Sequence, residues 1–535
     1  MSEKYTVSKM IALHLKSLGV KSVFGVPGGG SSLDLIDAFE ELNINFYLVR
    51  REDAAVIMAC VFGEVTNSIG VALVTKGPGL SNSMNGVAYS SLDRSPLILF
   101  SDGFSKKLSS FVTHQVFDQK KLMSPFSKNY TNLQNDNPEK DFKKIIYDTL
   151  IPPYGPVYIE LISKVAQSEI TVKNQLVKER NRIKNLNKSP LIIDLINTSK
   201  KPTIILGLEN LKENTTNVIL QILNKLNCPV FVTYKAKGII SDNLHNVVGI
   251  FTGGKAEQTC INESDLIILI GLDPVELILQ PWPYKIPVLN FSLAHHKTHY
   301  VKPNANEFGD LNFNLNKYLK YFKKSKWKTN IIKHYKNDMK SKLKFPSKNL
   351  LNPQSIIEEA QKFIKTNPRI SIDAGAHMFS ATAFWNASNP FDVLISNGLA
   401  TMGFAVPAAI SSALANPERG SIAFTGDGGF MMCCSELATA VQFKANVLVI
   451  VFNDGALSLI DIKQKSRNLK RSGTTWPKSN FAEVASGFGC KSWKVEDIDS
   501  YKRALDMASK IKGTRLIDVW MDPNGYSEQL KSLRG

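Results

Sequence analysis

Short apolar runs that stop abruptly at glycine, proline or aspartate recur along the chain, and helical spacing fills the intervals between them. In the first third they are "KSVFGVPGG", "IGVALVTKGPG" and "SPLILFSDG"; in the second, "KPTIILGLE", "CPVFVTYKAKG", "SDLIILIGLDP" and "IPVLNFS"; in the last, "RISIDAGAH", "GSIAFTGDGG", "ANVLVIVFNDG" and "TRLIDVWMDP". A strand that is apolar at every position is buried on both faces, the condition of a parallel sheet covered by helices. The pattern predicts an α/β chain with three doubly wound parallel-sheet domains, over residues 1–165, 188–325 and 350–535. Two lysine-rich segments, 173–188 and 317–345, separate the three and read as linkers. Ligands of such sheets bind beyond the carboxyl ends of the strands, so the strand-end loops are where chemistry belongs.

A length of 535 residues exceeds one ordinary core, and 43% hydrophobic with 21% charged residues is ordinary for a globular protein. No apolar run is long enough to span a bilayer. The opening segment "MSEKYTVSKMIALHLKSLGV" reads as an amphipathic helix and lacks the basic head, apolar centre and cleavage site of an export signal. Cys60, Cys228, Cys260, Cys433, Cys434 and Cys490 are scattered, and the adjacent pair lacks C-x-x-C spacing. They read as reduced thiols, which points to the cytoplasm. The net charge of +18 is spread out or gathered in the lysine-rich segments, as solvated faces would be. It predicts no nucleic-acid partner, and no membrane partner is expected either.

The most specific signal lies in "GDGGFMMCCSELATAVQFKANVLVIVFNDG". One helix and one buried strand separate Gly426-Asp427-Gly428 from Asn453-Asp454-Gly455, which would bring two parallel strand ends side by side. Asp427 and Asp454 then face one loop space, with the Gly428 and Gly429 amides beside a helix start. Oxygen ligands next to an anion-binding helix N-terminus suit Mg²⁺ carrying a diphosphate. Either Asp-Gly alone would be a turn; the pair at this spacing makes turns a poor account.

GDG followed at this interval by Asn-Asp is similar to the thiamine-diphosphate (ThDP) motif. "NGLATMGFAVPAAISSALANPER" (397–419) resembles the segment before that motif in the ThDP-dependent 2-oxo acid decarboxylases and carboligases, acetolactate synthase catalytic subunits in particular. "DAGAHMFSA" (373–381) resembles their diphosphate loop, and "VFGVPGGGSSLDLIDAF", "VRREDAAVIMA" and "TKGPGLSN" match their N-terminal pattern in order. The resemblance covers nearly the whole chain. It implies ThDP and Mg²⁺ as cofactors, with Asp427, Asp454 and Ala456 as metal ligands. Gly375, His377, Ala400, Met402, Gly426, Gly428, Gly429 and Asn453 would bind the cofactor. Glu52, in "RREDAA", would be the glutamate that hydrogen-bonds the aminopyrimidine ring, and burial against the cofactor would raise its pKa. Met402 would prop the cofactor into its bent form, with the backbone of Ala400, where the family more often has glycine, holding the pyrimidine. Because the resemblance implies a cofactor shared across a subunit interface, it implies a homodimer or homotetramer.

The substrate side departs from the family pattern. The loop "THQVFDQKKLMSPFSKNY" (113–130) carries His114-Gln115 where acetolactate synthases carry Phe-Gln. Gln115 would keep a place near the reacting carbonyl; His114 is either a proton-shuttling group or a solvent-facing loop residue. Lys463 stands where the family carries a tryptophan and Lys76 where it carries a serine; with Gly29 they are candidate substrate contacts. The two lysines suit an anionic group, such as a second carboxylate, phosphonate or sulfonate. In the central domain Asp273 stands where an arginine would help to hold FAD, so FAD is not expected. The reading is ThDP- and Mg²⁺-dependent decarboxylation of a 2-oxo acid with transfer of the acyl anion to a carbonyl acceptor. The alternative is a non-ligating decarboxylase that releases an aldehyde, acting on a phosphono- or sulfo-2-oxo acid.

Overall fold

The computed structural model describes residues 3–105, 108, 110–172, 184, 186–277, 281–297, 301–345 and 351–534. Three six-stranded sheets carry the fold. The N-terminal sheet runs Asn45–Leu48, Ser22–Val26, Gly70–Val74, Leu97–Asp102, Pro156–Leu161, Tyr130–Thr131 across its width. Its neighbours are parallel, for example Gly70 opposite Leu97 through Val74 opposite Ser101. The helix Glu52–Thr66 that joins two of these strands is buried without a break from Ala54 to Glu64, so its sequence is apolar all round rather than striped.

The central sheet runs Val247–Ile250, Val230–Val232, Pro202–Leu206, Leu266–Ile270, Val288–Ser292, Ala305–Phe308. In chain order that is 3-2-1-4-5-6, the order of a dinucleotide-binding sheet. The C-terminal sheet runs Val393–Ile395, Arg369–Ile372, Ser421–Gly426, Val447–Asn453, Arg515–Trp520, Lys491–Val495. Its winding, 2-1-3-4-6-5, is also that of the N-terminal sheet. In each sheet the chain reverses direction across the strands next to the first one, and there a crevice opens at the carboxyl ends.

Contacts group the chain into two compact units. One holds the N-terminal sheet together with residues 406–420 and 433–447; inside it Ser411 Oγ donates to the Met58 carbonyl at 2.6 Å, and Tyr47 meets Phe443 edge-on at 4.8 Å. The other holds the central and C-terminal sheets with their remaining helices.

Two expectations change. The amphipathic start is a helix only over Val7–Ser17; Glu3–Thr6 is a strand, antiparallel to Glu169–Val172. Residues 317–345 are not a linker. They close the helix Leu311–Tyr318 and form the helix Thr329–Lys342, whose Ile332 and Met339 are buried. Met339 packs so closely on the strand Val247–Ile250 that a Cβ on Gly249 would stand 2.5 Å from its Sδ. Most of the other lysine-rich segment, 173–183 and 185, lies outside the described residues. The six cysteines are free, all but Cys434 buried, and among the described residues no helix is long and apolar enough to cross a membrane.

Candidate active site

The strand Ser421–Gly426 passes directly into the helix Asp427–Cys433, so Asp427 is the first helical residue rather than part of a turn ahead of the helix. The residue is 2% exposed. Oδ2 accepts the Gly455 N–H at 2.7 Å and Oδ1 the Gly428 N–H at 2.8 Å. Asp454, at the end of the neighbouring strand Val447–Asn453, accepts from the Ala456 N–H at 3.2 Å and from the Ser458 hydroxyl. Burial, and then the nearby Asp454, push the Asp427 carboxyl up to about 7, and burial raises Asp454 as well. A buried carboxylate whose ionisation is opposed by a half-buried neighbour suits a divalent cation, which would relieve the repulsion.

A segment not anticipated from the sequence braces this loop. Leu457 donates to the Thr474 carbonyl and Trp476 to the Gly455 carbonyl, with Ala456 bridged to Thr475. The Trp476 ring then stands over the glycine turn: a Cβ on Gly428 would lie 3.3 Å from Trp476 Cη2, Met402 Cε and Leu457 Cδ2 alike. Gly429 has no room either, since its Cβ would fall 2.3 Å from Asp373 Oδ2. Asp373 is fixed there by the Phe404 and Ala405 N–H groups, at 2.6 and 2.8 Å, and by the Thr425 hydroxyl. The sequence signal for Trp476 was weak, because a lone aromatic in a loop has no pattern.

His377 opens the helix His377–Phe384 after the strand Arg369–Ile372, between Gly375 and Gly426, whose added Cβ atoms would meet its Cε1 at 2.7 and 3.4 Å. Its ring stacks on Phe452 with centroids 5.1 Å apart. Burial lowers its pKa to about 4, while a hydrogen bond with the Phe424 backbone acts the other way. The Nε2 of His377, the Oδ1 of Asn453 and the Nε1 of Trp476 are buried without partners. An anion delivered to this turn would raise the imidazole pKa and give Nε2–H an acceptor. The residues therefore fit a metal-bound diphosphate. Ala400 adopts φ +55°, the left-handed region, which accounts for glycine being the commoner choice at such a position.

The remaining candidates lie elsewhere. Lys463 is exposed on the helix Ser458–Ser466. Glu52, Gly29, Lys76, His114 and Gln115 belong to the unit built on the N-terminal sheet. Glu52 begins its helix half-buried, and Asn82 Nδ2 donates to its Oε2 at 3.3 Å. The turn before it is held by Glu436, a residue the sequence reading missed. Gly28 is pressed against Asp102, where a Cβ would fall 2.2 Å from Oδ2, whereas one on Gly29 would meet open space. Lys76 Nζ stands 4.8 Å from the centre of the Phe104 ring. His114 and Gln115 are both exposed; the buried amide of that loop is Gln119, which accepts the Gly77 N–H at 2.9 Å.

The central crevice does not fit a dinucleotide. The N–H groups of Leu208 and Asp273, placed at the two strand ends to receive a pyrophosphate, both donate to Glu276 Oε2, at 2.9 and 3.2 Å. The protein's own Glu276 carboxyl, which burial pushes up to about 8, occupies both amides, and Asp273 lies beside it.

Comparison with known families agrees with this architecture. Family models described as the N-terminal TPP binding domain, the central domain and the C-terminal TPP binding domain of the thiamine pyrophosphate enzymes match residues 5–122, 191–310 and 373–519. The chain belongs to the thiamine diphosphate (pyrophosphate) enzymes. Within them it is similar to acetolactate synthases. It is 24% identical to the acetolactate synthase of Bacillus subtilis (strain 168) over 530 residues, 96% of this chain and 92% of the relative. It is 27% identical to a probable acetolactate synthase large subunit of Methanococcus aeolicus, covering 95% of this chain and 91% of that one. With the catabolic acetolactate synthase of Raoultella terrigena it shares 24% identity, over 96% and 94% of the two chains.

Proposed function

We propose that the protein is a ThDP- and Mg²⁺-dependent enzyme that decarboxylates a 2-oxo acid and transfers the acyl anion to a second carbonyl compound. The observation that carries this reading is the buried Asp427 beside the half-buried Asp454, their loops tied together where the Gly455 N–H reaches Asp427 at 2.7 Å. Bound ThDP would supply the electron sink that decarboxylation of a 2-oxo acid requires. Asp427, Asp454 and the Ala456 carbonyl would hold Mg²⁺, leaving its other positions to water and diphosphate oxygens. Gly375, Gly426, Gly428, Gly429 and Asn453 would line the diphosphate, with His377 donating from Nε2. The backbone of Ala400 and Met402 would hold the pyrimidine and the Met402 side chain would support it. Glu52 would share a proton with the aminopyrimidine nitrogen. Gln115 and His114 would stand near the reacting carbonyl. The similarity to acetolactate synthases supports ligation over simple release and a homodimer or homotetramer, and the free cysteines support a cytoplasmic site of action.

Lys76, held at a strand end of the N-terminal sheet beside Phe104, favours a second reading: a decarboxylase for an anionic substrate, such as a phosphono- or sulfo-2-oxo acid, that releases an aldehyde. Product masses from a 2-oxo acid panel, with and without ThDP, Mg²⁺ and an aldehyde acceptor, separate the two. Ligated product is expected, and Glu52→Gln should abolish it; turnover equal to wild type in that variant would overturn the catalytic reading.

A further inference from the structure

The crevice of the central sheet gathers a set of metal-ligating side chains that the proposed reaction does not use. Glu209 follows the strand Pro202–Leu206, Asp273 the strand Leu266–Ile270, and His296 the strand Val288–Ser292. These three strands are neighbours, and the first two flank the point where the winding reverses. Among the described residues, this is the one group of three His, Cys, Asp or Glu side chains whose ligand atoms all lie within 4.8 Å of one another.

We propose that Glu209, Asp273 and His296 form a binding site for a divalent transition-metal cation of the zinc type. His296 Nε2 lies 2.9 Å from Glu209 Oε1 and 4.0 Å from Asp273 Oδ2. Ligands about 2.1 Å from one ion stand at most about 4.2 Å apart, so one ion reaches Nε2 and either oxygen without rearrangement. The three side chains are 8%, 5% and 1% exposed. Two carboxylate ligands and a neutral imidazole match the charge of a dication. Outer donors already aim the ligands. Glu209 accepts from the Leu293 N–H at 2.8 Å and the Ser292 hydroxyl at 3.1 Å, and Asp273 Oδ1 accepts the Val275 N–H at 2.9 Å, which turns Oδ2 toward His296. One imidazole with two carboxylates suits zinc or its neighbours better than Mg²⁺, which prefers an oxygen shell rich in water. The ion would clamp three strand ends where a dinucleotide is shut out. This inference stands independently of the catalytic reading.

The test is zinc titration by calorimetry of chelator-stripped protein with ThDP and Mg²⁺ in excess, followed by metal analysis after dialysis. One zinc per chain is expected to be retained and to raise the melting temperature. His296→Ala and Glu209→Gln should each weaken zinc binding at least about tenfold, while Asp427→Asn leaves it unchanged. Should the alanine variant fail to fold, Asp273→Asn carries the same reading. Wild type that retains no zinc, or folded ligand variants that retain as much as wild type, would overturn the proposal and leave His296 as a counter-ion.

Discussion

The carboxylate of Glu436 accepts the backbone N–H of Arg50 at 3.1 Å across 386 positions of sequence, inside the unit built on the N-terminal sheet. Thr439 donates to its other oxygen at 2.7 Å. This fixes the turn two residues before Glu52, so Glu436 acts on Glu52 through the backbone.

Burial pushes the Glu436 carboxyl up to about 6 from 4.5, partly offset by Thr439 and the Arg50 and Arg51 amides. Between those values the folded protein binds the extra proton, so the stability this group contributes is full below about 4.5 and is lost as pH rises through about 6. The loss is about 2 kcal/mol for a shift of this size. Denaturant midpoints for wild type and Glu436→Gln from acid to neutral pH should diverge across that window and run parallel above it. Parallel curves throughout would remove Glu436 as a titrating support.

Asp427→Asn should separate cofactor binding from folding. Without a cation, the asparagine removes a charge that Asp454 disfavours, but it can accept only one of the two N–H groups that Asp427 holds. The cofactor-free variant should therefore melt modestly lower than wild type. With ThDP and Mg²⁺ present, loss of one of two carboxylate ligands should weaken binding on the order of a hundredfold or more. Quenching of intrinsic fluorescence on titration reads both Kd values; equal values would rule out the metal assignment.

Gly429 and Gly29 form a paired test. Alanine at Gly429 drives a methyl into an Asp373 carboxylate held by two amides, and should cost about 1–3 kcal/mol. Alanine at Gly29 meets nothing within 4 Å and should leave stability unchanged. Thermal melts of the cofactor-free proteins check both.

Ala400→Gly should stabilise the protein by up to about 1 kcal/mol, because the left-handed backbone at φ +55° costs an L-residue that much. A bulkier Ala400→Val should lower the melting temperature. If the glycine variant melts lower instead, unfolded-chain entropy outweighs the strain.

Lys463→Ala, on the exposed face of Ser458–Ser466, tests the anionic-substrate reading. A rise in KM confined to 2-oxo acids with a second negative charge is expected. KM values unchanged across the panel would remove Lys463 from substrate recognition.

The meeting of Asp427 and Asp454 at adjacent strand ends was legible because the interval between them is short. That interval holds two short helices, Asp427–Cys433 and Glu436–Gln442, before the strand rather than the one expected. The α/β class was legible for a similar reason: strands such as Leu266–Ile270 are buried at every position and so apolar throughout. What escaped notice depends on distant pairing. Glu3–Thr6 has a helix-like pattern and becomes a strand because Glu169–Val172 lies against it. Ile332 and Met339 were hidden among lysines, two buried positions in a mainly solvated helix. Glu436 and Trp476 matter through partners that no local pattern announces.

The N-terminal sheet shares its compact unit with residues 406–420 and 433–447. During synthesis, therefore, the first domain to leave the ribosome is also one of the last to be finished. The Met58 carbonyl and the Arg50 amide stay without their partners until Ser411 and Glu436 have been made, while the whole central sheet is translated in between. A chain cut short before Ser411 would lose these two contacts along with most of its C-terminal sheet, and leave its oldest part permanently open.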